Sequence, residues 1–148
     1  MSTFSQSYYH IVFSTKNREN VLLTDEKEKL FKYIWGIVKN KKCYLYRING
    51  IENHIHLLIN LHPSICLSDL VKLIKSSTSK WIKEDGIFPD FAGWQDGYGA
   101  FTVSHNDRDK VIQYIINQEE HHKKINFEHE FKTILDKLGI IYNEKYVF

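Results

Sequence analysis

His54-Ile55-His56-Leu57-Leu58-Ile59 is the stretch of this 148-residue chain whose reading decides the fold. Side chains alternate across a strand, so Ile55, Leu57 and Ile59 point one way while His54 and His56 point together the other way. One face of the strand therefore asks for a covering of helices, and the opposite face carries polar groups.

Working outward, residues 44–48 read as a strand paired with this one, which extends over 54–61, through a hairpin loop built on Asn49-Gly50 and a few neighbours. Before them, Thr24 with Asp25 and Glu26 reads as an N-cap and acidic first turn. Leu30, Ile34, Ile37 and Val38 then repeat at helical spacing up to the Lys39–Lys42 region. The β-branched and aromatic run at 8–13 is a first strand.

After the hairpin, Ser68 suits the cap of a second helix. Leu67, Leu70, Val71, Ile74, Thr78 and Trp81 form its inner stripe, and Lys72, Lys75, Lys80 and Lys83 lie mostly elsewhere. Pro89 and four of the seven glycines mark residues 84–99 as a loop, and 98–104 as a fourth strand. Asn106 and Asp107 then cap a helix running through Tyr114 and Gln118 into His121 and His122. Asn126 caps a last helix that Gly139 ends, and the tail 140–148 is apolar enough to dock.

The first six elements spell β-α-β-β-α-β, an α+β fold with the ferredoxin-like antiparallel sheet, to which C-terminal helices are appended. In that topology strands one and three are central and both crossover helices cover one face. The other face, holding His54 and His56, is expected to be open. Tyr9, Ile11 and Phe13 form the inner set of strand one, so His10 shares the face of the histidine pair.

Composition sets outer limits. A length of 148 and 43% hydrophobic residues fit a single domain over 1–148 with a real core. The polar start and the lack of any bilayer-length apolar run suggest a cytoplasmic protein. Cys43 and Cys66 lack metal-type spacing and read as reduced core thiols. A net charge of +2 gives weak support for a nucleic-acid partner, whereas 14% aromatic residues, nine of them tyrosine, suit base stacking.

Two imidazoles at i and i+2 on a rigid strand are placed to share a metal ion. Tyr114 and Gln118, four residues apart, are neighbours on a helix, with His121 a further turn along. A hydroxyl nucleophile beside a neutral oxygen donor suits phosphodiester chemistry on a hard cation. Candidates for phosphate contact are Lys16 and Arg18 after strand one and Lys72, Lys75 and Lys80 on helix two, with His10 as a substrate contact or rival ligand.

Over nearly the whole chain the sequence resembles the HUH transposases, single-tyrosine enzymes of small insertion sequences that act on single-stranded DNA. The likeness is carried by 9–16 (Tyr-His-Ile-Val-Phe-Ser-Thr-Lys), Gly50 through 54–59, 67–75, the Trp94-Gln-Asp-Gly-Tyr-Gly-Ala-Phe segment, and Tyr114-Ile-Ile-Asn-Gln118-Glu-Glu-His-His. Asn53 departs from the pattern, since such proteins often carry aspartate there.

The resemblance implies that His54 and His56 hold Mg²⁺ or Mn²⁺ with Gln118 as third ligand, His10 and His121 being the rivals for that place. Tyr114 would be the nucleophile that forms a 5′-phosphotyrosine, with Tyr98 the next tyrosine in line. It further implies hairpin-forming single-stranded DNA as the substrate and a homodimer with shared sites. The short link from Ser104 to Asp107 agrees with sharing, because it leaves the Tyr114 helix little path back over its own sheet. Three other readings stay open: a non-catalytic single-stranded nucleic-acid-binding module, a hydrolase of small phosphate esters, and a domesticated relative that cleaves without transposing.

Overall fold

The computed structural model describes residues 1–147. Its regular elements are β1 (Tyr8–Ser14), α1 (Lys27–Asn40), β2 (Tyr44–Ile51), β3 (His54–Asn60), α2 (Leu67–Asp85), β4 (Gly99–Val103), α3 (Arg108–Ile116), α4 (Gln118–His122) and α5 (Phe127–Lys137), with short 3₁₀ turns between some of them. The strands form one antiparallel sheet in the order β2-β3-β1-β4, so β1 and β3 are central, as the β-α-β-β-α-β order requires.

On one face, Ile11 and Phe13 of β1 and Ile55, Leu57 and Ile59 of β3 join Leu30, Ile34 and Val38 of α1 and Leu70, Val71, Ile74 and Ile82 of α2 in the main core. This is the period-two and period-3.6 pattern meeting face to face. Gly86 ends α2 in the left-handed region, φ +80°, which costs glycine no Cβ clash.

The opposite face is not open. α3, α4 and α5 lie over it and leave His54 and His56 0% exposed. Two small apolar clusters flank the histidines, Val12 with Phe101, Phe127 and Leu135 on one side and Tyr8 with Leu58 and Ile115 on the other. The appended helices carry apolar stripes of their own, and the uncovered sheet face is the surface that can bury them.

Several boundaries also move. β2 continues through Asn49 and Gly50 to Ile51, and the turn falls at Glu52 and Asn53. Gly50 is a pairing position of close approach: a Cβ there would stand 2.3 Å from His54 O. Asn49 is buried, and its Nδ2 donates to Ile115 O at 3.0 Å, Ile116 O at 3.2 Å and Glu119 Oε2 at 3.1 Å. Those bonds mark where the expected single helix breaks, at Asn117, into α3 and α4.

Thr24 opens a 3₁₀ turn ahead of α1, and the cap position of α2 is Cys66 rather than Ser68. Ser104, not Asn106 or Asp107, supplies the side-chain cap before α3, and Asn126 caps α5 as read. Cys43 is buried, whereas Cys66 is exposed and so not part of the core. In the tail, Tyr142 and Val147 pack against the Phe127 cluster, while Phe148 lies outside the described residues. No helix among the described residues is long and apolar enough to cross a membrane.

Candidate active site

The covered face buries polar side chains from four elements at one point. β3 supplies His54 and His56, α4 supplies Gln118 and His122, α5 supplies Glu130, and α3 brings the hydroxyl of Tyr114. Nε2 of His54, His56 and His122 stand 3.3, 3.1 and 3.1 Å from Glu130 Oε1. Gln118 Oε1 lies 3.2 Å from His54 Nε2, and Gln118 Nε2 donates to Glu130 Oε2 at 3.0 Å. Tyr114 Oη donates to that same Oε2. The sequence-derived set of His54, His56, Gln118 and Tyr114 is thus brought together in a single chain.

The histidines are oriented by neighbours. His10 Nε2 and His56 Nδ1 share a 2.8 Å hydrogen bond, so His10 stands behind His56 and not among the converging atoms. His54 Nδ1 faces Asn53 Oδ1 at 2.8 Å, and the Asn53 amide is turned that way with its Nδ2 towards Arg18 O at 3.5 Å. An acceptor at Nδ1 fixes the proton there and leaves Nε2 as a bare lone pair, the form a metal ligand needs. The asparagine that departs from the family pattern therefore still supplies the acceptor. The Phe127 ring stacks on His54 with centroids 4.0 Å apart and walls the site from water. His121 Nε2 is 3.2 Å from Glu130 Oε2 but makes no hydrogen bond, leaving it a buried polar atom turned towards the site.

Burial sets the electrostatics. It lowers His54 to about 4, assisted by His56 and opposed by Glu130, and lowers His10 to about 3 with the help of His56, so both rings are neutral near pH 7. It raises Tyr114, and the Glu130 carboxylate raises it further. For Glu130 burial pushes the carboxyl up, but the surrounding His122, His54 and His56 outweigh it and hold it well below the usual range. A phenol in this setting ionises poorly unless positive charge is added beside it. Imidazoles converging on a carboxylate and an amide oxygen, around an ionisation-resistant phenol, make a donor set that fits a divalent cation.

Neither His122 nor Glu130 was singled out as a ligand from sequence, although both left a trace. His122 follows Gln118 by one helical turn, and Glu130 falls within the apolar stripe of Phe127, Phe131, Ile134 and Leu135, where a carboxylate has no reason to be without a partner. Tyr98, the alternative tyrosine, is 42% exposed on the loop before β4 and is not among the converging side chains.

The basic candidates are distributed differently. α2 covers the far face of the sheet, so Lys72, Lys75 and Lys80 belong to that side; Lys72 and Lys80 are exposed. Lys75 Nζ is already committed, donating to Gln95 O at 2.7 Å and Gly97 O at 2.8 Å and so holding the loop before β4. Lys16 and Arg18 form a 3₁₀ turn fastened by Asn17 N to Gln95 Oε1 at 2.8 Å.

The placement of Tyr114 corrects the path argument. A 3₁₀ turn at His105–Asp107 reverses the chain after β4, and α3 packs back on β2 and β3 of its own sheet. α4 is anchored there by Lys27 Nζ, which donates to Glu119 Oε1 at 2.6 Å and Gly50 O at 3.3 Å. No second copy is needed to bring Tyr114 to the histidines.

Comparison with known proteins agrees with this fold. The family model described as "Transposase IS200 like" matches residues 3–118. The ISDra2 transposase TnpA of Deinococcus radiodurans is 24% identical over 120 residues, covering 78% of this chain and 86% of that protein. The transposase for insertion sequence element IS200 of Salmonella typhimurium is 25% identical over 122 residues, 78% of each chain. Among solved structures, a putative transposase from Deinococcus radiodurans superposes with a TM-score of 0.63 at 25% identity, over 80% of this chain and 95% of that one. A REP-associated tyrosine transposase bound to a REP hairpin has the same fold, with a TM-score of 0.63 at 17% identity over 84% of this chain and 76% of that one. α5, with Glu130, lies beyond the residues that the family model matches.

Proposed function

The chain belongs to the IS200-like transposases, tyrosine enzymes of DNA transposition, and from that premise we propose that it cleaves and rejoins single-stranded DNA at hairpin-forming element ends, with Tyr114 as nucleophile. The observation that carries this reading is the convergence of the Tyr114 hydroxyl with His54, His56 and Gln118 at one buried point.

His54, His56 and Gln118 would hold Mg²⁺ or Mn²⁺. When bound, such an ion polarises the scissile phosphate and offsets charge growing on its oxygens. Tyr114 Oη attacks phosphorus, its proton having an acceptor already in place at Glu130 Oε2. A 5′-phosphotyrosine forms as the bond from phosphorus to the 3′ oxygen breaks, and that oxygen leaves as a 3′-OH with the proton Glu130 took up. The adduct conserves the phosphodiester's energy, so the 3′-OH of a second strand can reverse the step without ATP. His10, expected as a ligand or substrate contact, is proposed to position His56 through their shared hydrogen bond. Lys16, Arg18, Lys72 and Lys80 are proposed to contact backbone phosphates outside the site, and Lys75 shapes the loop beside them.

The test uses a labelled single-stranded hairpin oligonucleotide and denaturing gels. Wild type with Mn²⁺ should form a covalent adduct. Tyr114→Phe and His54→Ala should each reduce it at least about 100-fold, as expected on losing a nucleophile or a metal ligand. An undiminished adduct with Tyr114→Phe rejects the assignment. Metal-dependent hydrolysis of a small phosphate ester without any adduct would favour a hydrolase. A homodimer is proposed as the active unit, and the contact of the Tyr114 hydroxyl with Glu130 within one chain supports a site made inside each copy. Mixing the two inactive variants under exchanging conditions should then leave activity absent, whereas its return would mean that α3 is lent to the partner.

A further inference from the structure

The hydrogen bonds around His122 and Glu130 describe a site short of a positive charge. A neutral imidazole has one N–H. His122 Nδ1 lies 2.9 Å from Ile125 O, which only accepts, so the His122 proton is on Nδ1 and its Nε2 is a lone pair. The same reasoning gave His54 a bare Nε2 from its bond to Asn53. Gln118 is oriented too, because its Nε2 donates to Glu130 Oε2 at 3.0 Å and its Oε1 turns towards the rings.

Acceptors therefore face acceptors. His122 Nε2 is 3.0 Å from Gln118 Oε1 and 3.1 Å from Glu130 Oε1, while His54 Nε2 is 3.2 and 3.3 Å from the same two oxygens. Read as hydrogen bonds, these contacts would need second protons on both rings. Lone pairs pointed at one another at such separations, in a site removed from water, need positive charge among them, and one divalent ion supplies it to all of them at once.

The spacing matches. Two donors each about 2.1 Å from one ion, at angles between about 90° and 110°, stand roughly 3.0–3.4 Å apart. Glu130 Oε1 lies 3.1–3.3 Å from the Nε2 atoms of His54, His56 and His122, and the four groups offer ligand atoms all within 4.8 Å of one another.

Resting on the reading of the preceding subsection, we propose that His122 and Glu130 are metal ligands alongside His54 and His56. The centre is then one of three imidazoles and a carboxylate beside the Gln118 amide oxygen, closed in part by α5 and suited to Mn²⁺ or another first-row divalent ion over Mg²⁺. Imidazole-rich sites favour transition ions, whereas Mg²⁺ prefers oxygen and retains water. Glu130 is the hinge of the arrangement, since Oε1 faces the rings and Oε2 receives the Tyr114 hydroxyl, tying the nucleophile to the metal through one side chain.

Calorimetric titration of the full chain with MnCl₂ and MgCl₂ tests this, with folding of each variant checked by circular dichroism. Mn²⁺ should bind about 100-fold more tightly than Mg²⁺, and Glu130→Gln and His122→Ala should each weaken Mn²⁺ about tenfold or more. Pulsed electron paramagnetic resonance of Mn²⁺-loaded wild type needs no variant and should count three coordinated imidazole nitrogens. Two imidazoles, or wild-type Mn²⁺ affinity in both variants while His54→Ala loses it, would overturn the proposal and leave the preceding reading intact. Wild type that binds neither ion would overturn both.

Discussion

The two faces of the sheet are built from the same strands and obey opposite rules. Towards α1 and α2, Ile11, Phe13, Ile55, Leu57 and Ile59 join one continuous apolar core, with Lys75 Nζ 5.8 Å over the Phe13 ring at its edge. Towards α3, α4 and α5, Tyr8, His10, Val12, His54, His56 and Leu58 alternate apolar ends with a polar centre, and the apolar contact divides into two small clusters. The first face gains free energy from area removed from water. The second spends part of that gain on desolvating histidines and a carboxylate, and it recovers a preorganised, water-poor site. Stability and chemistry are thus separated across the thickness of one sheet, a division the single strand β3 enforces by alternation.

The sharpest way to break this division is Leu57→Ala. Leu57 is 0% exposed and faces only the first core, so the substitution should cost about 2–5 kcal/mol in denaturant unfolding while the folded fraction still binds Mn²⁺. A cost under about 1 kcal/mol would show that this face is not the main source of stability.

Acid should act on the second face instead. In the metal-free chain burial lowers His54 to about 4 and His10 to about 3 from an ordinary 6.5. Below pH 6.5 the unfolded chain takes up protons that the folded chain refuses, so stability present above 6.5 is lost as pH falls to about 4 for His54 and about 3 for His10. His54 alone accounts for roughly 3 kcal/mol. Urea unfolding between pH 7 and 4 measures it, and His54→Gln should flatten the slope while Leu57→Ala should leave it unchanged. An unaltered slope in His54→Gln would place the acid sensitivity elsewhere.

The smallest expected effect is at the seam between sheet and α3. Asn49→Ala removes the amide that satisfies Ile115 O and Ile116 O, at a cost of about 1 kcal/mol. Hydrogen exchange should quicken at the amides of 117–121, the segment carrying Gln118, with the first core unaffected. Unchanged exchange there would mean that the Lys27–Glu119 pair and the Gln118 and His122 contacts hold α4 in place without Asn49.

Much of this was legible in the sequence. The order of elements, the inward sets of β1 and β3, the histidine pair with His10 on one face and the Tyr114–Gln118 neighbourhood all follow from periods of two and 3.6. Asn49-Gly50 misled because a turn-forming pair and a close-packed strand pair look alike locally; only the backbone of His54 passing beside Gly50 separates them.

By itself, then, the sequence determined the family, the β-α-β-β-α-β framework and which side chains leave β3 together, because these depend on local periodicity and short motifs. Tertiary structure alone decided that the histidine face is covered, that Tyr114 reaches it within one chain, and that Glu130 meets His56 from 74 positions away. Periodicity tells which way a side chain leaves its own element, but the path of the turn at His105–Asp107 and the burial of the α5 stripe decide which distant groups meet there. That convergence is a property of packed helices on a sheet, and no residue spacing encodes it.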